Sequence, residues 1–107
     1  MDINSLKSQF SKYKKDLLDL NKYMYENPEL GYQEIKSVNK ITKLIKKHTA
    51  DAKFKKFTDI PTAFTASINN KPRRENIAIC IEYDALPNVG HACGHNLISS
   101  IGLGTFF

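Results

Sequence analysis

With 107 residues the chain has room for one domain at most, and an apolar share of 41% supports a core of ordinary composition. Sixteen Lys and Arg against eleven Asp and Glu give a charge of +5. The basic doublets Lys14-Lys15, Lys46-Lys47, Lys55-Lys56 and Arg73-Arg74 are scattered and have acidic residues between them, a pattern of solvated faces that argues against a nucleic-acid partner.

From Ile3 to Glu26 the residues Leu6, Phe10, Tyr13, Leu17, Leu20 and Met24 recur every three or four positions. That spacing predicts one amphipathic helix, capped by Asp2 or Asn4 and ended by Asn27-Pro28. A turn follows in which Gly31 is free to take positive φ. A second helix is predicted from Gln33 to His48, with Ile35, Val38, Ile41, Leu44 and Ile45 on one side. Lys53–Phe57 is weakly strand-like, and Ala63–Ile68 alternates as a strand does. Asn69-Asn70-Lys71-Pro72 is turn chemistry and predicts a hairpin into a strand over Asn76–Tyr83. Its run Ile77-Ala78-Ile79-Cys80-Ile81 reads as buried, with Cys80 pointing into the core.

The last stretch, Leu97–Phe107, starts as a helix after an Asn96 cap and stops with its apolar residues uncovered. The expectation is an α/β chain of two helices and a hairpin-containing partial sheet, with residues 1–107 forming the front part of a larger domain. The uncovered C-terminal apolar surface offers a route to self-association. No apolar leader region follows Met1 and no apolar run reaches membrane-spanning length, so the expected setting is cytoplasmic, without a membrane partner.

In open α/β sheets, sites lie at the carboxyl ends of strands. Here that end brings Glu82 and Asp84, then Pro87, then the loop Gly90-His91-Ala92-Cys93-Gly94-His95. Alternate side chains of an extended segment share a face, so Cys93 and His95, with His91 as a third, can converge on one ion. Thiolate with imidazole suits zinc and its first-row neighbours. Neither Cys nor His follows His95, and His48 lies in a helical region, so Asp84 and Glu82 are the remaining ligands or imidazole-orienting groups. His91 also reads simply as a loop histidine. A Cys80–Cys93 disulfide would close a short loop and add little, and in a reducing compartment an unpaired Cys beside His is a ligand or a nucleophile. The nucleophile reading, Cys93 with His91 or His95 as base, is the weaker one, because catalytic Cys–His pairs come from separate elements.

The string Glu82-Tyr83-Asp84-Ala85-Leu86-Pro87, followed by Gly90-His91-Ala92-Cys93-Gly94-His95-Asn96-Leu97, resembles the metal-site signature of the aminoacylase and glutamate-carboxypeptidase family of metallopeptidases. It is closest to the amidohydrolase branch, and its variants resemble the aminobenzoyl-glutamate hydrolases and dipeptidase-like members. Asn27-Pro28-Glu29-Leu30-Gly31-Tyr32-Gln33-Glu34 resembles the family's turn between its first two helices, with Asn27 in place of the usual His. The resemblance implies a mixed-sheet zinc-peptidase domain of the phosphorylase/hydrolase-like kind, with a lid domain inserted later. It implies two divalent ions, zinc or manganese, with Cys93 and His95 as ligands and Asp84 as the residue that orients them. The implied reaction is hydrolysis of amide bonds in N-acyl amino acids, aminobenzoyl-glutamate or dipeptides, with a downstream glutamate as general base. That glutamate is not among these residues, so the expectation for the chain alone is a metal site filled in part or empty, and no turnover. The competing expectation is a small non-catalytic module that binds a metal or a partner.

Overall fold

The computed structural model describes residues 1–68 and 75–107. Among them are four helices and a two-stranded antiparallel sheet, so the mixed α/β class expected from the sequence holds. Helix α1 spans Ile3–Ser11, and its first turn is closed by Asp2, whose carboxylate accepts the Ser5 N–H at 2.7 Å. Helix α2 spans Lys14–Glu26. The single helix expected over Ile3–Glu26 is therefore broken at Lys12-Tyr13. There the amides of Lys12 and Tyr13 turn back to the carbonyls of Gln9 and Phe10, a tighter three-residue closure that ends the first helix. The Tyr13 ring then packs edge-on against His48, with centroids 5.3 Å apart. Tertiary packing makes this break, since the sequence has neither Gly nor Pro at that point.

Helix α2 stops at Asn27, whose amide and side chain both donate to the Tyr23 carbonyl at 2.9 Å. In the turn that follows, positive φ falls on Tyr32 (68°) and not on Gly31, where it was expected. Helix α3 spans Ile35–His48 and buries Ser37, Val38, Ile41 and Ile45. Its last turn carries Lys46 and Lys47, charges that suit the negative end of a helix, and ends on His48. The core is a cluster of Leu17, Leu20, Met24, Ile41, Ile45 and Leu103.

The opening of α3 depends on Glu29. Its carboxylate accepts the Lys36 N–H at 2.9 Å and both the N–H and hydroxyl of Ser37 at 2.7 Å. Burial pushes this carboxyl up, but the hydrogen bonds and the Lys36 charge outweigh burial and hold it below its ordinary range. A carboxyl depressed in the fold contributes stability that is complete above the unfolded value and is lost as pH falls through the folded one. Stability should therefore decline as pH drops below 4.5, the ordinary value for this carboxyl. Glu29→Gln should flatten that decline and cost about 0.5–2 kcal/mol at neutral pH. Thermal melts across the acid range check both. The flattening should be partial, since Lys47 and His48 hold Asp16 low in the same direction.

Strand β1 (Lys53–Lys56) pairs antiparallel with β2 (Phe64–Ser67) in the register Lys53↔Ser67 to Lys56↔Phe64. The hairpin expected between Ala63–Ile68 and Asn76–Tyr83 is not the pairing found, and its turn at 69–72 lies outside the described residues. Residues 75–84 run extended without joining the ladder. Ile81 and Tyr83 pack against the core, whereas Ile77 is 95% exposed. Cys80, expected in the core, is exposed, because residues 75–80 gain no strand partner among the described residues and are exposed on both faces, Ile77 and Ile79 included.

Helix α4 spans His95–Phe106 and packs chiefly on α2. Its cap is Gly94 in the left-handed conformation (φ 81°) and not Asn96. The Asn96 side chain is turned inward instead, where its amide donates to Asn21 Oδ1 of α2 at 2.9 Å. Gly102 lets the extended segment lie directly on α4, because a methyl group there would overlap the Ile81 side chain. Leu103 is buried, while Leu97, Ile98 and Ile101 remain exposed. No helix of the described residues is long and apolar enough to cross a membrane.

Candidate metal-binding site

The extended segment ends where Ala85 donates its N–H to the Glu29 carbonyl at 2.7 Å, making a parallel bridge between Ala85 and Leu30. The chain then folds into a tight loop closed by two hydrogen bonds between Leu86 and Gly90, of 2.9 and 3.2 Å. Asn88 and Gly90 take positive φ inside it. A second turn, with Gly94 N–H on the His91 carbonyl at 3.1 Å, delivers His95 to the first position of α4.

His95 stands between two carboxylates. Its Nδ1 lies 2.9 Å from Asp84 Oδ1 and 3.1 Å from the Asp84 carbonyl, both acceptors, so Nδ1 carries the hydrogen. Its Nε2 lies 3.0 Å from Glu82 Oε2. Glu82 and Asp84 are two apart on an extended segment and so share the face turned toward the ring. From α4, Ser99 stands four residues after His95 on the same helix face. It is fully buried and its hydroxyl donates to the Glu82 carbonyl at 2.6 Å. His95, Ser99 and Gly102 thus form one stripe that grips Asp84, Glu82 and Ile81 in turn.

The other two loop residues behave differently. Cys93 is exposed and its thiol is free, as is that of Cys80, so the cysteines form no disulfide. His91 is 6% exposed, and neither ring nitrogen has a hydrogen-bond partner among the described residues. Burial pushes its imidazole down, the neighbouring His95 adds to this, and Asp84 opposes both. The structure therefore brings Asp84, Glu82 and His95 together and leaves Cys93 at the surface. Among the described residues no three Cys, His, Asp or Glu side chains converge as a metal-holding group. Sequence reasoning passed over Ser99, Glu29 and the Asn21–Asn96 pair. Only the four-residue spacing of Ser99 from His95 could have pointed to any of them.

Toward a divalent ion the described residues present one oriented donor, His95, with no group of three donors gathered around it. An imidazole whose Nδ1–H is fixed by a carboxylate leaves Nε2 as the coordinating atom, the way metal-bound histidines are held. The Cys93 thiol, two positions earlier in the chain, is free and exposed and is of the same borderline-soft class.

No protein-family model matches the chain. Among curated proteins, a Xaa-Arg dipeptidase from Mus musculus is 35% identical over 91 residues, covering 78% of this chain and 21% of its own length. The Xaa-Arg dipeptidase from Homo sapiens is 33% identical over 93 residues with the same coverage. An N-acetyldiaminopimelate deacetylase from Oenococcus oeni is 28% identical over 103 residues, covering 82% of this chain and 27% of the deacetylase. The chain spans about a fifth of the length of the dipeptidases it matches, at 21%. Over some four-fifths of its own length, this chain is homologous to amidohydrolases of the aminoacylase and glutamate-carboxypeptidase family.

Proposed function

We infer that these residues form one wall of the metal-dependent active site of an amidohydrolase, as a portion of its catalytic domain. The reaction class is hydrolysis of an amide bond in an N-acyl amino acid, an aminobenzoyl-glutamate or a dipeptide. The observation that carries this reading is the Asp84–His95 pair, 2.9 Å apart, two residues beyond the free thiol of Cys93. The homology to peptidases and deacetylases that cut such bonds supports it.

In this reading Cys93 and His95 are ligands, and Asp84 orients His95 without touching substrate. When bound, the divalent ions, zinc or manganese, would polarise the scissile carbonyl and make a bound water nucleophilic near neutral pH. The chain's own residues set the geometry for this. Asp84 holds the hydrogen at Nδ1, which leaves Nε2, on the side of Glu82, as the atom that would coordinate an ion. Ser99 holds the Glu82 backbone, and with it the end of the extended segment, against α4. Glu82 Oε2 faces Nε2 at 3.0 Å, the position an ion would take from it. A thiol-nucleophile mechanism gains no support, because the His91 ring nitrogens have no hydrogen-bond partner among the described residues and those of His95 face Asp84 and Glu82, so neither histidine is paired with Cys93.

The test is metal binding by the 107-residue chain. Cobalt(II) substitution should give the thiolate-to-metal absorption band, and Cys93→Ser should abolish that band. His95→Ala should weaken zinc and manganese binding to the level of an unrelated basic protein. A band that persists in Cys93→Ser, or equal metal affinity in His95→Ala, would overturn the reading.

A further inference from the structure

Glu34 occupies the N-cap position of α3, where a carboxylate ordinarily accepts the first free N–H groups of the helix. Its side chain caps nothing, because Glu29 already fills that role. Glu34 is only 7% exposed, and its Oε2 has no hydrogen-bond partner among the described residues. A buried carboxylate oxygen without a donor is unfavourable unless something cationic or donating reaches it.

Glu34 lines a cavity of about 340 Å³ together with Glu82, Asp84, Tyr32, Tyr83 and Thr62. Among the described residues no Lys, Arg or His lines it, although the chain holds 16 Lys and Arg against 11 Asp and Glu. Three of the few acidic side chains therefore share one concavity in a basic protein. The Tyr83 hydroxyl donates to the Thr62 carbonyl and is not available to Glu34. Burial, and then the neighbouring charges of Glu34 and Asp84, push Tyr83 up to about 12, which keeps its hydroxyl neutral beside those carboxylates. The volume exceeds what a bare ion needs and lies at the small end for organic ligands. Tyrosine rings suit a flat or compact cation.

We propose that this cavity is a subsite for an organic cation, a guanidinium or primary ammonium group, whose charge is met by Glu34 together with Glu82 and Asp84. As a substrate subsite it rests on the amidohydrolase reading, since Glu82 and Asp84 are shared with the His95 cluster. It would then receive a basic group of the substrate. As a cation site it stands on the geometry alone.

The test is titration of the isotopically labelled 107-residue chain, with chelator present, by methylguanidinium, methylammonium and the neutral isostere methylurea. Amide resonances of Glu34 and Tyr83 should move saturably with one or both cations and not with methylurea. Glu34→Gln should weaken the binding by about tenfold while the remaining spectrum stays native. A response to methylurea equal to that of the cations, shifts that never saturate, or unchanged affinity in Glu34→Gln would each overturn the proposal. If Glu34→Gln does not fold, Glu82→Gln at its exposed position must weaken cation binding, and unchanged affinity there overturns it equally. Metal binding is measured separately. Lost cation binding with intact metal binding defeats the subsite alone, and the reverse result defeats the amidohydrolase reading alone.

Discussion

Ile41→Ala should lower the unfolding free energy by about 2–5 kcal/mol, measured as a shift of the urea midpoint at constant slope. Ile41 is fully buried on α3 and belongs to the cluster with Leu17, Leu20, Met24, Ile45 and Leu103. Its truncation removes transfer free energy and leaves a void that three helices must close over. A domain of this size has a total stability of roughly 5–15 kcal/mol, so the loss is a large part of the whole. Ile77→Ala makes the same chemical change at a side chain that is 95% exposed, and should stay within about 0.5 kcal/mol of wild type. Equal losses at the two positions would mean that the core lies elsewhere.

Asp84→Asn should weaken divalent-metal binding by about 10–100-fold without changing the stoichiometry, as read by competition against a chromophoric chelator. The substitution keeps the shape and an acceptor oxygen for His95 Nδ1, but replaces a charge-assisted hydrogen bond with a neutral one. The backbone carbonyl of Asp84, 3.1 Å from the same nitrogen, still restrains the ring, so some affinity remains. Because Asn preserves packing, the melting temperature should move little. Unchanged metal affinity would remove Asp84 from the site.

The helices were readable in the sequence because their apolar residues repeat at helical spacing and Pro28 marks an end that no packing can override. The break at Lys12-Tyr13 was not readable, since it arises from where the Tyr13 ring packs, against His48 and Phe107. Strand positions were legible but their partner was not. The turn chemistry at 69–72 favoured a local hairpin, whereas β2 pairs back to β1. Register and partner are decided by contacts far apart in the chain, which a local pattern does not encode. The run Ile77–Ile81 reads as buried from its apolar content, yet residues 77–80 are exposed and only Ile81 packs against the core, because burial depends on what lies beside the segment and not on its own composition. At the site, the meeting of Asp84 with His95 followed from their place on either side of the loop. Ser99 and Glu29 act through backbone groups, and such roles leave almost no trace in residue type.

Glu29 joins two parts of the molecule through two different atoms. Its carboxylate closes the first turn of α3, and its carbonyl receives the Ala85 amide next to Asp84. Fraying at the start of α3 should therefore slacken the strap under the histidine loop, and hydrogen exchange of the Ser37 and Ala85 amides should then show one shared opening. Local unfolding at the helix entrance and loss of ligand order are then a single event, although the chain places some fifty residues between them.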